Sequence, residues 1–456
     1  MSVSILTMRT GVVRASVGLL LCGCGAALAQ VPTSGERSSQ GDRTQLQFSV
    51  ADTYTDNARR TPVNEVNDQI VSLGLNLDIT HDGRLLDYRA NGDLSWQDYT
   101  DNTYASQVLG HFDGQLDATL IQDRLTWDVK ETFGQVTANP LVPQTPDTLS
   151  NLNYFSTGPR FSQPLGTQTE FQLAGDYSRT DSGSQESGLA GSTADLSGQR
   201  YLGSAALLRR LGPRSSISLQ ADTERFEYDD ESIVPSYDQR HAFVRFEARG
   251  ARNTINTDLG WVELDSVRKT SGLLARIEVQ RRLTPAQTLS VRADQSYSGA
   301  GDALRSGLDL NNPVIASTPI STTDPYKDRS VGLGWRYAVS RTELTVDLSR
   351  SKEQYQTQTQ FDRTRKSISA YATRRLTPRL DLRMDALYTR EDYPVTGYDD
   401  KELDASVGLN WHFGRHVTAG LRYSRLKRTS SDPTTEYAEN RIGLAFFVSP
   451  LRQQSQ

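Results

Sequence analysis

Leu86-Asp87-Tyr88-Arg89-Ala90-Asn91-Gly92-Asp93-Leu94-Ser95-Trp96-Gln97 decides the fold. Leu86, Tyr88, Ala90, Gly92, Leu94 and Trp96 fall on one side of an extended chain, and the polar and charged residues between them fall on the other. Successive strand side chains point to opposite faces, so this run is a strand with one greasy and one wet face. The next segment repeats the pattern, with Gly110, Phe112, Gly114, Leu116, Ala118 and Leu120 set against His111, Asp113, Gln115, Asp117 and Thr119. Far along the chain, Leu273, Ala275, Ile277 and Val279 oppose Arg276, Glu278 and Gln280, and Leu289, Val291 and Ala293 oppose Ser290, Arg292 and Asp294.

A soluble sandwich also alternates, so two further features separate the readings. The segments run for 10 to 14 residues, longer than the soluble mode of about 5–6 and close to the ~9–11 of a tilted membrane strand. Their connections alternate in length. Short turns such as His81-Asp82-Gly83, Gln122-Asp123, Leu211-Gly212-Pro213, Leu283-Thr284-Pro285 and Gly414-Arg415 alternate with longer polar stretches, among them 56–66, 136–150, 180–198, 263–270, 297–328 and 392–400. That layout is expected of an outer-membrane barrel. The fold predicted is all-β: a transmembrane antiparallel up-and-down barrel of about 20 strands, or 18 if one hairpin merges with its neighbour. Tyrosines and tryptophans such as Tyr54, Tyr99, Tyr201, Tyr228, Tyr237, Trp261, Tyr355, Tyr388, Tyr423 and Tyr437 fall at the long-loop ends, where a membrane-interface belt is expected.

Strands in hydrocarbon must satisfy every backbone polar group, so the sheet is expected to close, Thr44–Thr55 against Tyr437–Val448. The last strand carries Arg441-x-Gly443-x-x-Phe446-x-Val448. This resembles the C-terminal signal by which bacterial outer-membrane proteins are recognised by barrel-assembly machinery, although eight residues, 449–456, follow as a tail.

At the other end, Arg9 and Arg14 precede a short apolar core, and Ala27-Leu28-Ala29 forms a small-x-small cleavage site before Gln30, the pattern of a secretory signal. A lipoprotein signal around Leu21-Cys22-Gly23-Cys24 is the alternative. The organisation expected is a signal at 1–29, a flexible segment at 30–43, a barrel at 44–448 and the tail at 449–456. Cleavage at Ala29 removes both cysteines of the chain, which leaves no disulfide and no thiolate chemistry.

The polar face is expected to line a lumen. Its candidates are Asp87, Arg89, Asp93, His111, Asp113, Asp117, Lys130, Arg245, Glu247, Arg276, Glu278, Arg292 and Asp294. Both signs are present, which argues for charges paired across strands or a track for polar substrates, and against a single-sign anion pore. No Gly-x-Ser-x-Gly elbow and no His-Glu-x-x-His site occurs. His111 and His241 are placed to act as a base, but a lone polar-face histidine is more often an ordinary lumen residue, and Asp229-Asp230-Glu231 reads as a solvated acidic loop rather than a cation site, so no catalytic residue, metal or cofactor is expected. The net charge of -5 argues against a nucleic-acid partner. The long stretch 298–326, with Pro313, Pro319 and Pro325, is expected to fold inward as a constriction.

Tyr54-Thr55-Asp56-Asn57, Phe133-Gly134-Gln135, Asn139-Pro140 and Leu152-Asn153-Tyr154-Phe155-Ser156-Thr157-Gly158-Pro159-Arg160-Phe161 together resemble the outer-membrane barrels associated with exosortase (PEP-CTERM) and exopolysaccharide systems, within the type 2 beta-barrel porin class. The resemblance implies a role in moving or anchoring surface polymer, so the expectation is a monomeric barrel of a Gram-negative outer membrane that serves exopolysaccharide export or surface-polymer assembly. Its partners would be lipid, lipopolysaccharide, the barrel-assembly machinery and periplasmic export components. A diffusion porin for small polar solutes and a surface scaffold or adhesion barrel are the alternatives.

Overall fold

A computed structural model describes residues 42–137, 141–183, 197–230, 236–298 and 324–454. The secretory signal with its Ala29–Gln30 junction, Asn139-Pro140, and most of the 180–198 and 298–326 connections lie outside the described residues.

The described chain is almost entirely strand. The first five strands are β1 (Arg43–Thr55), β2 (Asp68–Asp82), β3 (Leu86–Tyr99), β4 (Gln107–Ile121) and β5 (Leu125–Thr137). Next come β6 (Leu149–Pro164), β7 (Thr169–Ser182), β8 (Gly198–Gly212), β9 (Ser215–Tyr228) and β10 (Tyr237–Arg249). The third group is β11 (Asn253–Asp265), β12 (Lys269–Thr284), β13 (Gln287–Ser298), β14 (Tyr326–Val339) and β15 (Thr342–Tyr355). The last five are β16 (Arg363–Thr377), β17 (Leu380–Tyr393), β18 (Tyr398–Phe413), β19 (Val417–Ser430) and β20 (Tyr437–Gln454). Each pairs antiparallel with its sequence neighbours, and β1 pairs with β20, so the 20-stranded sheet is closed.

Alternation sorts the side chains as the sequence predicts. On β18, Leu403, Ala405, Val407, Leu409, Trp411 and Phe413 share one face, while Asp404, Ser406, Asn410 and His412 share the other. The apolar face is exposed in strand after strand: Phe48, Val50, Leu94, Trp96, Leu219, Leu259, Leu273, Val331, Leu421 and Leu444. Ten residues at about 3.3 Å each, tilted by ~40°, give a belt ~25 Å tall, the thickness of a bilayer's apolar layer. A closed sheet with its greasy side outward is stable only against lipid, because water would leave that whole surface unburied. Among the described residues no helix is long and apolar enough to cross a membrane; this barrel crosses with strands.

The strand ends differ from expectation in two places. β20 runs to Gln454 rather than stopping at Val448. Pro450 has no N–H to give, yet a register shift between Leu46 and Phe48 of β1 absorbs the irregularity, and pairing resumes at Leu46–Leu451. The expected long connections at 263–270 and 392–400 shrink to Ser266–Arg268 and Pro394–Gly397, because the strands run on past the belt. Gly397 and Gly414 turn the chain at φ 72° and 81°, where a Cβ would be strained.

Candidate functional site: the lumen and its long-loop mouth

All thirteen candidate lumen residues sit on the face opposite the apolar belt, and cross-strand register sets their neighbours. Asp93 lies opposite His111, with Nδ1 of the ring 3.6 Å from the carboxylate. Asp87, Asp117 and Asp128 stand side by side on β3, β4 and β5, and Arg160 of β6 reaches Asp128 at 2.6 Å. Thr132 donates to Asp113 at 3.0 Å. Lys130 is level with Gln115, which is level in turn with Arg89. On the far wall, Arg245 grips Asp258 through two bonds of 2.7 and 2.9 Å, and Arg276 donates to Asp294 at 3.1 Å. Glu278 accepts from Asn256, which lies opposite Glu247.

Two pairs reach over an intervening strand. Arg292 of β13 approaches Asp347 of β15 to 3.8 Å, and Arg422 of β19 donates to Asp385 of β17 at 2.7 Å. The strand crossed by the first carries Gly332 and Gly334. A Cβ at Gly334 would fall 2.6 Å from an Asp347 oxygen, so only glycine leaves the passage clear.

Exposure along the lumen is strongly graded. Arg160 and Arg292 are 63% and 61% exposed in the body of the barrel, whereas Arg200, Arg363 and Arg428 near the long-loop end are 2–3% exposed. The buried arginines are all paired. Arg200 donates twice to Glu224, at 2.6 and 2.9 Å. Arg363 binds Glu353 through two bonds of 2.8 and 3.1 Å and lies 3.5 Å from Glu391, which also faces Arg365. Tyr355 and Tyr393 donate their hydroxyls to Glu353 and Glu391. Arg428 holds Asp400 at 2.6 Å. These residues were not among the sequence candidates.

The aromatic belt is also corrected. Tyr54, Tyr201, Trp261, Tyr388 and Tyr423 do face outward, exposed at the belt's edge. Tyr99, Tyr228, Tyr237, Tyr355 and Tyr437 face inward and are buried at the mouth. With Phe226, Phe243, Val262, Leu264 and Leu274 they give the long-loop end an apolar interior that the hydrated-lumen expectation did not include. β13 leaves β12 beyond Gln295, and its end leans across the lumen, where the Tyr297 carbonyl accepts from Gln239 of β10 at 2.9 Å.

A connection then crosses the mouth. Within the β5–β6 loop, the Leu141 carbonyl accepts from Tyr398 of β18 at 3.3 Å, and the Gln144 carbonyl accepts from Arg60 of the β1–β2 loop. Arg60 also donates to Glu439 at 2.9 Å and covers the Tyr437 ring at 5.3 Å. Its φ of 54° is left-handed, a conformation that Asn64, Asn102 and Asp123 adopt more easily elsewhere in the chain. Burial pushes its guanidinium down, but Tyr437 and Glu439 outweigh that and hold it above the ordinary arginine value, so the clasp stays charged. Tyr104, in the β3–β4 loop, is pushed up to about 12 by burial and then by Asp147 of the crossing loop.

Among the described residues no group of three or more His, Cys, Asp and Glu side chains could hold a metal ion. His241 lies 2.9 Å from Gln239, and His412 shares a short contact with Asp381 at the opposite, short-turn end.

With this geometry in view, the segment 330–449, from β14 to β20, matches the sequence family described as "Putative beta-barrel porin 2". No curated protein matches the chain in sequence. Several solved outer-membrane barrels are similar to it in structure. The ferric enterobactin receptor PfeA of Pseudomonas aeruginosa, in complex with BCV-L6, is 10% identical, with 90% of this chain and 82% of that one covered at a TM-score of 0.48. OccK2 (OpdF) of Pseudomonas aeruginosa is 12% identical, with 90% and 100% covered at 0.39. The FrpB iron transporter of Neisseria meningitidis is 8% identical, with 89% and 82% covered at 0.46.

Proposed function

We propose that this barrel sits in the outer membrane of a Gram-negative cell and works as a gated conduit for hydroxyl-rich or mixed-charge solutes. The observation that carries the reading is the β5–β6 connection clasped across one end of a wide, polar, charge-paired lumen. Small barrels fill their interior with side chains, whereas barrels of about 16 or more strands leave an aqueous passage; here that passage is polar in its body and capped at one mouth. Arginine–carboxylate pairs that a solute can replace one at a time suit weak, multi-site contact rather than tight capture.

For the substrate, the narrower reading is secreted polysaccharide. It is supported by the resemblance at Tyr54–Asn57 and 133–161 to barrels of exopolysaccharide systems, and by a lumen that offers hydrogen-bonding groups of both kinds. A porin for small polar solutes is the second reading, favoured by the family similarity over 330–449. Lipid and lipopolysaccharide around the belt, the barrel-assembly machinery at the Phe446 strand, and periplasmic export components at the short-turn end are the partners this role requires. A monomer is sufficient for it.

Purified protein in planar bilayers tests the gate: the native barrel should open rarely, and a variant lacking Leu141–Thr148 should conduct steadily. Equal conductance of the two would refute gating by this loop. A deletion strain separates the substrates: loss of secreted polymer with normal solute uptake supports export, and the reverse supports the porin.

A further inference from the structure

Five of the chain's seven lysines, all except Lys130 and Lys327, fall on the outward face at the long-loop ends of their strands: Lys269, Lys352, Lys366, Lys401 and Lys427; the Lys327 ammonium lies instead over the Tyr297 ring, against the lumen face of β12. Four of them lie on β15–β19 and are joined by Arg329 of β14 and by Arg350, Arg390 and Arg425. Each strand there repeats one pattern, an outward apolar residue, exposed on every strand except at the half-buried Leu403, followed two positions outward by a cation. Val331 precedes Arg329, Leu348 precedes Arg350, Ile368 precedes Lys366, Tyr388 precedes Arg390, Leu403 precedes Lys401 and Tyr423 precedes Arg425. Two residues of strand rise about 6–7 Å, which sets the cations just beyond the apolar layer at headgroup depth.

Register places them against one another. Arg350 is directly opposite Lys366, Lys366 opposite Arg390, and Arg390 opposite Lys401, while Arg329 is opposite Lys352. Like charges directly opposite on neighbouring strands are destabilising. Among the described residues, the carboxylates paired with this rim are Asp392 and Asp399, and they serve Arg390, Lys401 and, at 3.9 Å, Lys366. Among the described residues Arg329, Arg350, Lys352 and Lys427 make no ion pair. The rest of the rim differs. On β7–β12 the outward cations have their own carboxylates, Arg179 with Asp181, Arg225 with Glu227, and Arg240 and Lys269 with Glu263. The outward long-loop ends of β20 and β1–β4 carry Asn440, Tyr54, Gln69, Asp98 and Val108, with no cation.

We propose that the outward rim of β14–β19 is a binding site for a multiply phosphorylated lipid headgroup, the chemical class of lipopolysaccharide, with acyl chains lying on the apolar residues below. The row Arg350–Lys366–Arg390–Lys401 spans three strand spacings, about 15 Å, wide enough for more than one phosphate. Anionic lipid replaces the missing counter-charges and relieves the repulsion between opposed strands. The site rests on the membrane reading given above.

The test compares the intact barrel in phosphatidylcholine nanodiscs with the variant Arg350→Ser, Lys366→Ser, Arg390→Ser, Lys401→Ser. A control variant, Arg225→Ser, Arg240→Ser, Lys269→Ser, removes cations from the paired sector. Purified rough lipopolysaccharide, the same lipid after dephosphorylation, and inorganic pyrophosphate are the probes. The native barrel and the control should retain phosphorylated lipid at least tenfold more strongly than the rim variant. Dephosphorylated lipid should not distinguish the three proteins, and millimolar pyrophosphate should not compete. Equal retention by native and rim variant overturns the site, as does equal loss in the control, or pyrophosphate competition, which would make it a free-phosphate site. Native barrel that inserts into the nanodisc with its usual heat-modifiable gel mobility, but shows no headgroup preference, refutes this proposal alone. Failure to insert at all refutes the membrane reading beneath it.

Discussion

Replacing Arg60 by alanine should unclasp the mouth. In the closed state its guanidinium donates to the Gln144 carbonyl of the crossing loop, to Glu439, and covers Tyr437. Glu439 keeps Arg441 and the Thr55 hydroxyl on its Oε1, while the Oε2 that Arg60 held loses that donor. The remaining Arg441 charge limits the cost to the global fold. The crossing loop, in contrast, loses a hydrogen bond from a charged donor, of about 1.5–3 kcal/mol. If that bond exists only when the loop is docked, the open-to-closed ratio rises by about 10- to 150-fold, since ~1.4 kcal/mol is a factor of ten. Tyr398→Phe removes one neutral bond to the crossing loop, at Leu141, of about 0.5–1.5 kcal/mol, and should raise the ratio ~2- to 12-fold; its contacts with Thr435 and Arg428, lost as well, lie outside that loop. Single-channel recording in planar bilayers gives the ratio directly, as open probability. Urea unfolding of the same variants should show midpoints close to the native one. Arg60→Ala with open probability within twofold of native, while correctly inserted, would refute the clasp.

Four further outcomes follow from the same geometry. Glu224→Gln leaves Arg200 buried with Asp176, at 3.8 Å, as its nearest remaining carboxylate among the described residues, and should cost about 3–5 kcal/mol in urea unfolding; the pair Arg200→Met, Glu224→Leu should recover most of it. Gly260→Ala puts a Cβ 2.1 Å from the Ala242 carbonyl oxygen, so the heat-modifiable band on gels should be lost or its unfolding eased by about 1–3 kcal/mol or more. Phe446→Ser should reduce barrel in cell membranes several-fold while refolding into detergent proceeds normally; a matched loss in both settings would make the effect one of stability rather than assembly. Tyr104 stands at about 12, above its ordinary value of 10.0. Docking is thus fully supported below about pH 10 and weakens as pH climbs toward 12, a rise in conductance that Tyr104→Phe should lack.

The barrel was legible because lipid imposes a rule that each strand must obey by itself. One look at Leu86–Gln97 yields a wet and a greasy face, and β3 does place them so. The lumen pairs were half-legible: parity puts Arg276 and Asp294 on one face, and only register makes them opposite. The clasp was hidden, since Tyr398 and Leu141 are 257 positions apart and no local pattern marks either. Tyrosines misled because one residue type serves two surfaces. Counting parity from each strand's centre would have separated Tyr355, in step with the charged Asp347 and Glu353, from Tyr388, in step with Met384. The end of β20 was missed because Ser449-Pro450 reads as a stop, and the accommodation lies in β1.

The inclined end of β13 has a consequence for anything that travels through the protein. With Tyr297 resting on the Phe226 and Phe243 clusters, one side of the bore is dry and narrowed, and the water column is displaced toward the opposite side. A cargo entering at this mouth would therefore be met off-centre, toward the β3–β5 wall.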